Sequence, residues 1–397
     1  MADDSRGVLA RLGLLYAAIY GTVALLYPFY PVYLSLRDLS PSRIGIILGG
    51  LELAALAAAF VLPRAADRSG RFRMVMALMV ITAAGGIVLV HRGRLFSEIL
   101  AASLIYGFFF RPLPALADAY SGHILRNPSA YYGRVRAGGT ISFLIVSLSF
   151  QFSGILNDAP PLRFTAVFLA AMGVLVCVLP ILPRVTSVSQ EPAAAEKGAW
   201  KSIPSGYFPL LILMFTGNIG LAVYNAFGSL YMAQVFSLSQ VSGLMALAAA
   251  PEIPIMLLSG RILNLLKHRK MLFSALLASV VRLLILALFP FRWPIALSQL
   301  THALVFGLFL IACVDWINIR VPQRRRALGM GIFMAVSIGG AQLVGSVLGG
   351  WVLEAGGFTV LFAAGALFPL AALIWLLSDK RIGSTDSRLL DGPPPIR

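Results

Sequence analysis

The chain has 397 residues, 59% of them hydrophobic and only 12% charged, with a mean hydropathy of +0.86. Soluble globular chains carry about 25% charged residues, so this one has too few solvated side chains to cover a water-facing surface, which excludes a soluble enzyme and a disordered protein. The net charge of +16 comes from Lys and Arg clustered between long apolar runs, the pattern of membrane-orientation signals rather than of a basic nucleic-acid-binding face.

Twelve apolar runs follow one another, each near the roughly 20 residues that a helix needs to cross lipid. No alternating strand pattern recurs, and an open sheet leaves backbone groups unsatisfied in hydrocarbon, so the spans are helices. Met1–Gly7, with Asp3, Asp4 and Arg6, does not resemble a cleavable signal peptide, because the run behind it is too long and rich in tyrosine. The first six runs are 9–36, 44–63, 74–90, 97–125, 130–156 and 162–182. Tyr16, Tyr20 and Tyr27 share one broad face of the first, and Glu52 lies within the second. The fourth, GFFFRPLPALADAY at its centre, holds Arg111 and Asp118, with Pro112 and Pro114 freeing carbonyls and kinking the helix. Arg136 lies just inside the fifth, with Phe143 seven residues further on.

Residues 184–206 are polar and rich in Pro, Ser and Ala, and they separate these runs from a second six: 207–234, 240–266, 271–290, 294–319, 328–354 and 358–377. The seventh run carries Asn218 and Asn225 seven apart, amides expected to face a cavity, with Tyr224 and Tyr231 at the same spacing; tyrosines near span ends read as interface anchors. Glu252 lies on the eighth, Arg282 on the ninth, and Gln299, His302 and Asp315 on the tenth. The eleventh reads GGAQLVGSVLGG, in which Gly345 and Gly349 form a GxxxG face suited to close helix approach. Cys177 and Cys313 sit inside apolar runs without metal-ligand spacing and read as small hydrophobes. The domain reading is therefore a bundle at 1–183, a linker at 184–206, a bundle at 207–379 and a polar tail at 380–397 expected to be disordered.

Lys and Arg set the orientation. With an even number of spans both termini share a side, and that side receives about four times as many of these residues as the other, Arg64, Arg68, Arg134, Arg261 and Lys270 among them. The termini and the linker are expected in the cytoplasm.

The loop behind the second run reads PRAADRSGRFR, and the loop behind the eighth holds Arg261 and then Lys267, His268, Arg269 and Lys270, six runs later on the same side. Parallel six-helix halves around a mid-membrane site are a transporter architecture. Asp67, Arg68, Gly70, Arg71 and Arg73 resemble the loop signature of the major facilitator superfamily, Gly-x-x-x-Asp-Arg-x-Gly-x-Arg-Arg, with Pro63 in place of the leading Gly. Gly70 serves the turn, and the Asp and Arg are of a kind that pair across helix ends and latch one conformation.

A narrower resemblance lies in YYGRVRAGGTISF (131–143), which is similar to the fifth-helix segment of the lactose permease, nucleoside/proton symporter and phenylpropionate permease group. The resemblance implies an all-α membrane protein of twelve transmembrane helices in two pseudo-symmetric six-helix bundles, a monomer in the inner (plasma) membrane of a bacterium. It implies that Asp118 and Arg136 grip hydroxyls or a carboxylate, with Phe143 where the permease stacks a Trp on sugar, a departure that speaks against a galactoside. It implies that Glu252, Arg282 and His302 serve binding and proton coupling. Val305 stands one turn after the histidine, where the permease has an acid, which leaves Glu252 the better proton carrier.

Glu52, Arg111, Asp118, Glu252, Arg282, His302 and Asp315 all lie away from the span ends or near them on the membrane side. A charge at the bilayer centre costs about 2.5–3.5 kcal/mol on insertion scales, so each needs a partner or a water-filled cavity. The group is either a set of helix-locking ion pairs or a solute and proton pathway. Glu52 pairs with Arg111 or lines a cavity; Arg111 binds an anion or snorkels outward; Asp315 is a cap or latch. At 4 Å a Glu252–Arg282 pair is worth roughly 4 kcal/mol at an effective dielectric of about 20, enough to couple protonation to conformation. The candidate substrate contacts are Asp118, Arg136, Phe143, Arg111, Tyr20, Tyr27, Asn218, Asn225, Arg282 and Gln299, and the candidate proton carriers are Glu252, His302 and Glu52.

No nucleophile elbow, HExxH, phosphate loop or dinucleotide fingerprint occurs, so no enzyme chemistry, metal, cofactor or nucleotide drive is expected. The sequence reads as a secondary active transporter of a small polar or anionic organic solute (sugar, nucleoside or aryl carboxylate) by proton symport with alternating access. Proton-coupled drug or metabolite efflux by antiport is the alternative. A structural or sensory membrane protein would not require paired charges on several helices of both halves.

Overall fold

The computed structural model describes residues 5–156, 162–180, 204 and 206–379. The expected linker at 184–206, apart from 204 and 206, and the expected tail at 380–397 lie outside the described residues. Among the described residues every regular element is helical.

The first half contains α1 (Arg6–Leu26), α2 (Tyr30–Ser35), α3 (Pro41–Ser69), α4 (Phe72–Arg92), α5 (Phe96–Phe110), α6 (Leu113–Ile124), α7 (Pro128–Ser153) and α8 (Leu162–Val178). The helix ends follow local chemistry. Ser5 caps α1 by accepting from the Val8 N–H at 3.4 Å. At the start of α5 the Glu98 side chain accepts from the backbone N–H groups of Arg94 (2.8 Å) and Leu95 (3.1 Å). Helix α3 ends at Gly70 in the left-handed region, φ 63°. The fourth span breaks between α5 and α6 at Arg111–Pro112, where Pro112 and Pro114 bring no N–H to the ladder.

The second half contains α9 (Tyr207–Met232), α10 (Leu238–Ala249), α11 (Glu252–Leu257), α12 (Ser259–Leu288), α13 (Arg292–Leu300), a π-helical turn at Ala303–Leu308, α14 (Phe309–Arg320), α15 (Arg326–Phe333), a second π-helical turn at Met334–Gly340 and α16 (Ala341–Ser378). Lys267, at φ 56° and ψ 163°, breaks α12 and separates the eighth span from the ninth.

Ten helical stretches among the described residues are long and apolar enough to cross a membrane, against the twelve expected. Two local features account for the difference. Helix α8 has 17 residues, just short of a span. The stretch Leu328–Ser378 has 51 residues, about twice the length a span needs, and Gly357 breaks it at φ 73° and ψ −175°. That backbone region strains a residue that carries a side chain.

Contacts divide the chain into one unit of Met1–Ser189 with Phe236–Ala246 and a second of Gln190–Val235 with Leu247–Arg397. In the first, α1 packs on α7 and α8, α3 on α5, and α4 on α5 and α8. In the second, α9 and α12 pack on α16, and α11 and α12 pack on the π turn of the tenth span. Counted by span, second meets fourth and third meets fourth in one unit, and eighth meets tenth and ninth meets tenth in the other. One pairing scheme is used twice, as two pseudo-symmetric six-helix bundles require.

Close helix crossings also repeat. A Cβ added at Gly138 of α7 would lie 2.8 Å from the Gly13 carbonyl oxygen on α1, and one added at Gly345 of α16 would lie 2.6 Å from the Ala222 Cβ on α9. Lipid tails are as apolar as leucine, so such close backbone contact supplies much of the association. Arg73, at the start of α4, donates to the Val176 carbonyl at 3.2 Å and also bonds the Cys177 carbonyl at the end of α8. Arg269 donates to the Asp379 carbonyl at 2.7 Å and also bonds the Leu376 carbonyl at the end of α16. Each is a cation on the orphan carbonyls and negative dipole of a helix C-terminus. Around both units apolar side chains such as Ile81, Val174 and Leu367 stand exposed, a surface that lipid solvates and water does not.

Gly357→Ala forces a side chain into strained backbone at a cost of about 1–3 kcal/mol. The purified variant should unfold several degrees below the wild type in a thermal scan, whereas Gly331→Ala, at a helical glycine with open space beyond it, should not. Equal melting of the two variants would refute the assigned break.

Candidate functional site

Each unit holds its own set of charges inside the helices. In the first unit α6 and α7 bring Asp118 and Arg136 together, Oδ1 to Nε 3.8 Å. That is an ion pair but longer than a hydrogen bond, so Asp118 does not close the guanidinium fork. Tyr16 of α1 donates to Asp118 Oδ1 at 2.6 Å, and its hydroxyl lies 3.4 Å from Ser121 Oγ. The Arg136 guanidinium rests over the Tyr16 and Tyr20 rings, 5.5 and 4.7 Å from their centroids, an arrangement that holds it flat on α1 by cation–π attraction. The side chains of Arg136 and Asp118 are 36% and 38% exposed, open enough for a polar solute to reach both. Phe143 lies two turns along α7 and packs with Ala24, Leu25 and Val146 rather than on Arg136.

A second pair in the same unit joins α3 to the break in the fourth span. The Arg111 guanidinium bonds one oxygen of Glu52 through one nitrogen, and it lies over the Tyr27 ring, 5.1 Å from the centroid. Of the two alternatives for each residue, the structure has Glu52 paired and Arg111 turned inward to that pair.

The loop residues behave differently from one another. Gly70 makes the left-handed turn, and Arg73 caps α8. Asp67, Arg68 and Arg71 are exposed, and no ion pair joins Asp67 or Arg68 to another group among the described residues.

The second unit gathers Glu252, Arg282, Gln299, His302 and Tyr224. Arg282 is 1% exposed. Its Nη2 donates to Gln299 Oε1 at 3.0 Å and its Nη1 to His302 Nδ1 at 3.0 Å, and its guanidinium lies 3.6 Å above the Tyr224 ring. Tyr224 itself donates to the same Gln299 oxygen. His302 Nε2 then meets Glu252 Oε1 at 3.1 Å. Because Nδ1 accepts from an arginine, which has no acceptor of its own, the imidazole proton is carried on Nε2 and points at Glu252. The direct Glu252–Arg282 pair expected from the sequence is absent among the described residues: His302 stands between the two charges. Arg282 Nε has no hydrogen-bond partner there. His302 opens the π turn at Ala303–Leu308, a helix defect frequent at functional sites.

The remaining candidates are engaged inside the second unit. Asn218 is buried and donates to the Ser337 carbonyl at 2.7 Å, within the other π turn. Asn225 donates to Gln342 Oε1 at 3.3 Å, and Gln342 bonds back to the Ala222 carbonyl. Asp315 meets His268 Nε2 at 2.8 Å. Sequence reasoning missed Tyr224 as a ligand of Arg282, although its seven-residue spacing from Tyr231 was visible. It missed His268 because that residue sits in a basic loop motif that reads as an orientation signal.

The MFS_1 like family model matches residues 9–364. The chain is 26% identical over 369 residues, 91% of its length and 95% of the other's, to the probable 3-phenylpropionic acid transporter of Escherichia coli (strain K12). It is 23% identical to the maltose permease of Geobacillus stearothermophilus, over 86% of each chain. The crystal structure of the nucleoside transporter NupG superposes with a TM-score of 0.80, covering 94% of this chain and 98% of that one at 17% identity.

Gln299→Leu removes the acceptor shared by Tyr224 and Arg282 and leaves two buried donors without it, at about 1–3 kcal/mol each. It should lower the melting temperature more than Tyr224→Phe, which keeps the ring beneath the guanidinium. A larger loss from Tyr224→Phe would show that Gln299 does not organise the cluster.

Proposed function

The chain belongs to the MFS_1 like family, and we propose that this secondary transporter of the major facilitator superfamily moves a small polar or anionic organic solute together with protons. Its relatives carry names for phenylpropionic acid, maltose and nucleosides, which frames the solute as a small organic molecule with hydroxyls or a carboxylate. The protein is integral to the membrane and is not an enzyme.

The observation that carries the proton reading is the buried Arg282, which among the described residues reaches a carboxylate only through His302. With Glu252 ionised, the cluster holds one cation and one anion and is neutral overall. A proton on Glu252 removes the anion and leaves Arg282 buried and unbalanced. An uncompensated buried cation is strongly unfavourable, so the protonated cluster favours any state that brings an acceptor or an anion to it. Proton uptake and a solute that favours the same state then stabilise each other, which is the requirement for symport. Reversal follows when the solute leaves and Glu252 again neutralises the cluster through His302.

Solute capture falls to Arg136 and Asp118, whose open geometry offers donors and an acceptor side by side. Alternating access by rocking of the bundles at 1–183 and 207–379 completes the cycle, with Asp67, Arg68, Gly70, Arg71 and Arg73 as a conformational latch. The bias of Lys and Arg supports cytoplasmic termini, similarity to bacterial transporters supports a bacterial inner membrane, and a monomer suffices for this scheme.

Glu252→Gln, reconstituted into proteoliposomes, should lose at least tenfold in accumulation driven by a pH gradient and keep counterflow exchange of the same solute. The solute is chosen beforehand from 3-phenylpropionate, maltose and uridine by its thermal stabilisation of the wild type. Unchanged accumulation would end the proton role of Glu252.

A further inference from the structure

We propose that the Glu52–Arg111 pair in the first unit is an exchange site for an organic monocarboxylate, which takes the place of Glu52 on Arg111 while Glu52 takes up a proton. The proposal deepens the reading of the chain as a proton-coupled symporter and rests on it.

The geometry favours exchange over a fixed lock. Arginine offers five N–H donors in a planar fork that matches a carboxylate with two bonds, and Glu52 uses one nitrogen through one oxygen. The Arg111 side chain keeps 28% of its surface open while Glu52 keeps 11%, so an entering group meets the cation first. Tyr27, the residue that follows α1, supports the guanidinium and holds its plane when the partner changes. Arg111 also stands at the break of the fourth span, between α5 and α6, where the chain is not held by an unbroken helical ladder.

The charges balance. Before exchange the site holds the Glu52 carboxylate and the Arg111 cation. The incoming carboxylate bonds Arg111, the Glu52 carboxylate leaves it, and one proton from solvent joins Glu52. The site then holds a neutral carboxylic acid and the same ion pair with a new anion, so one anion and one proton enter together and the site charge is unchanged. A buried ion pair lies near energetic break-even against its desolvation, which permits one carboxylate to replace another as long as the displaced one is neutralised. A fixed structural pair would instead make carboxylate binding independent of Glu52.

The test measures 3-phenylpropionate binding to the full-length protein in detergent across the acid-to-neutral range, with uridine as the uncharged probe. Each proton taken up with the ligand steepens the affinity by tenfold per pH unit. Glu52→Gln should bind 3-phenylpropionate at least tenfold more tightly than the wild type at neutral pH, with a slope shallower by one proton, and should leave uridine unaffected. The doubly neutral Glu52→Gln/Arg111→Gln protein should lose the gain in 3-phenylpropionate affinity that Glu52→Gln alone brings. An unchanged slope in Glu52→Gln overturns the proposal, and that variant keeps Arg111, so it decides the matter even where the double variant fails to fold. A wild type that carries uridine with protons and does not bind 3-phenylpropionate overturns this site and leaves the symport reading standing. Retention of gradient-driven accumulation in Glu252→Gln overturns the role given to Glu252 and leaves the Glu52 slope as a separate result.

Discussion

A charge in hydrocarbon must have a partner, and the interior of this chain is arranged around that requirement. Arg282 has the strictest surroundings. Sealed from solvent, it is held by the Gln299 oxygen, the His302 nitrogen and the face of Tyr224, with its balancing carboxylate one residue away at Glu252. Four spans of the second unit meet because of it: the seventh brings Tyr224, the eighth Glu252, the ninth Arg282 and the tenth both Gln299 and His302. Replacing any one of these with an apolar residue leaves a buried polar group unsatisfied, so the cluster fixes the packing of helices that otherwise meet through interchangeable apolar faces.

The first unit meets the same requirement with a related arrangement. An acid on its second span meets a basic residue on its fourth, Glu52 with Arg111, as the eighth span's Glu252 meets the tenth span's His302. In each unit a tyrosine of the first span of the bundle lies beneath an arginine, Tyr27 under Arg111 and Tyr224 under Arg282. In each the fourth span is interrupted beside its charged residue, by Pro112 in one case and by the π turn after His302 in the other. The chemistry has diverged at the basic residue: Arg111 is itself the cation, whereas His302 is a neutral imidazole that accepts from Arg282 at Nδ1 and links that cation to Glu252.

The helical fold and the run lengths were legible because bilayer thickness fixes how many apolar residues a span contains. The turns at Gly70 and Gly357 behaved as punctuation of the chain, although only the first carries a motif. The mutual arrangement of the charges was less accessible. Spacing placed Glu252, Arg282 and His302 on consecutive spans, but depth along a helix does not say which side chain stands between the other two, and His302 took that place. Asn218 and Asn225 read as cavity amides from sparseness alone, yet Asn218 meets a backbone carbonyl in a π turn, and no sequence period announces a π turn. Phe143 turned to Ala24 and Leu25 because an aromatic ring two turns from Arg136 has a closer apolar surface available on α1.

Exposure separates the two arginines to which the proposed mechanism assigns different tasks. Arg136 is open, its contact with Asp118 is long, and water screens the pair, so parting it costs little. A group in that setting exchanges water for a solute with small reorganisation, as a capture site must. Arg282 is closed, and a change of charge beside it is felt at full strength because no solvent screens it. A group in that setting responds weakly to solutes that merely diffuse past and strongly to a proton on Glu252. Placing capture where charges are screened and coupling where they are not lets a transporter bind its solute reversibly without releasing the proton that drives it.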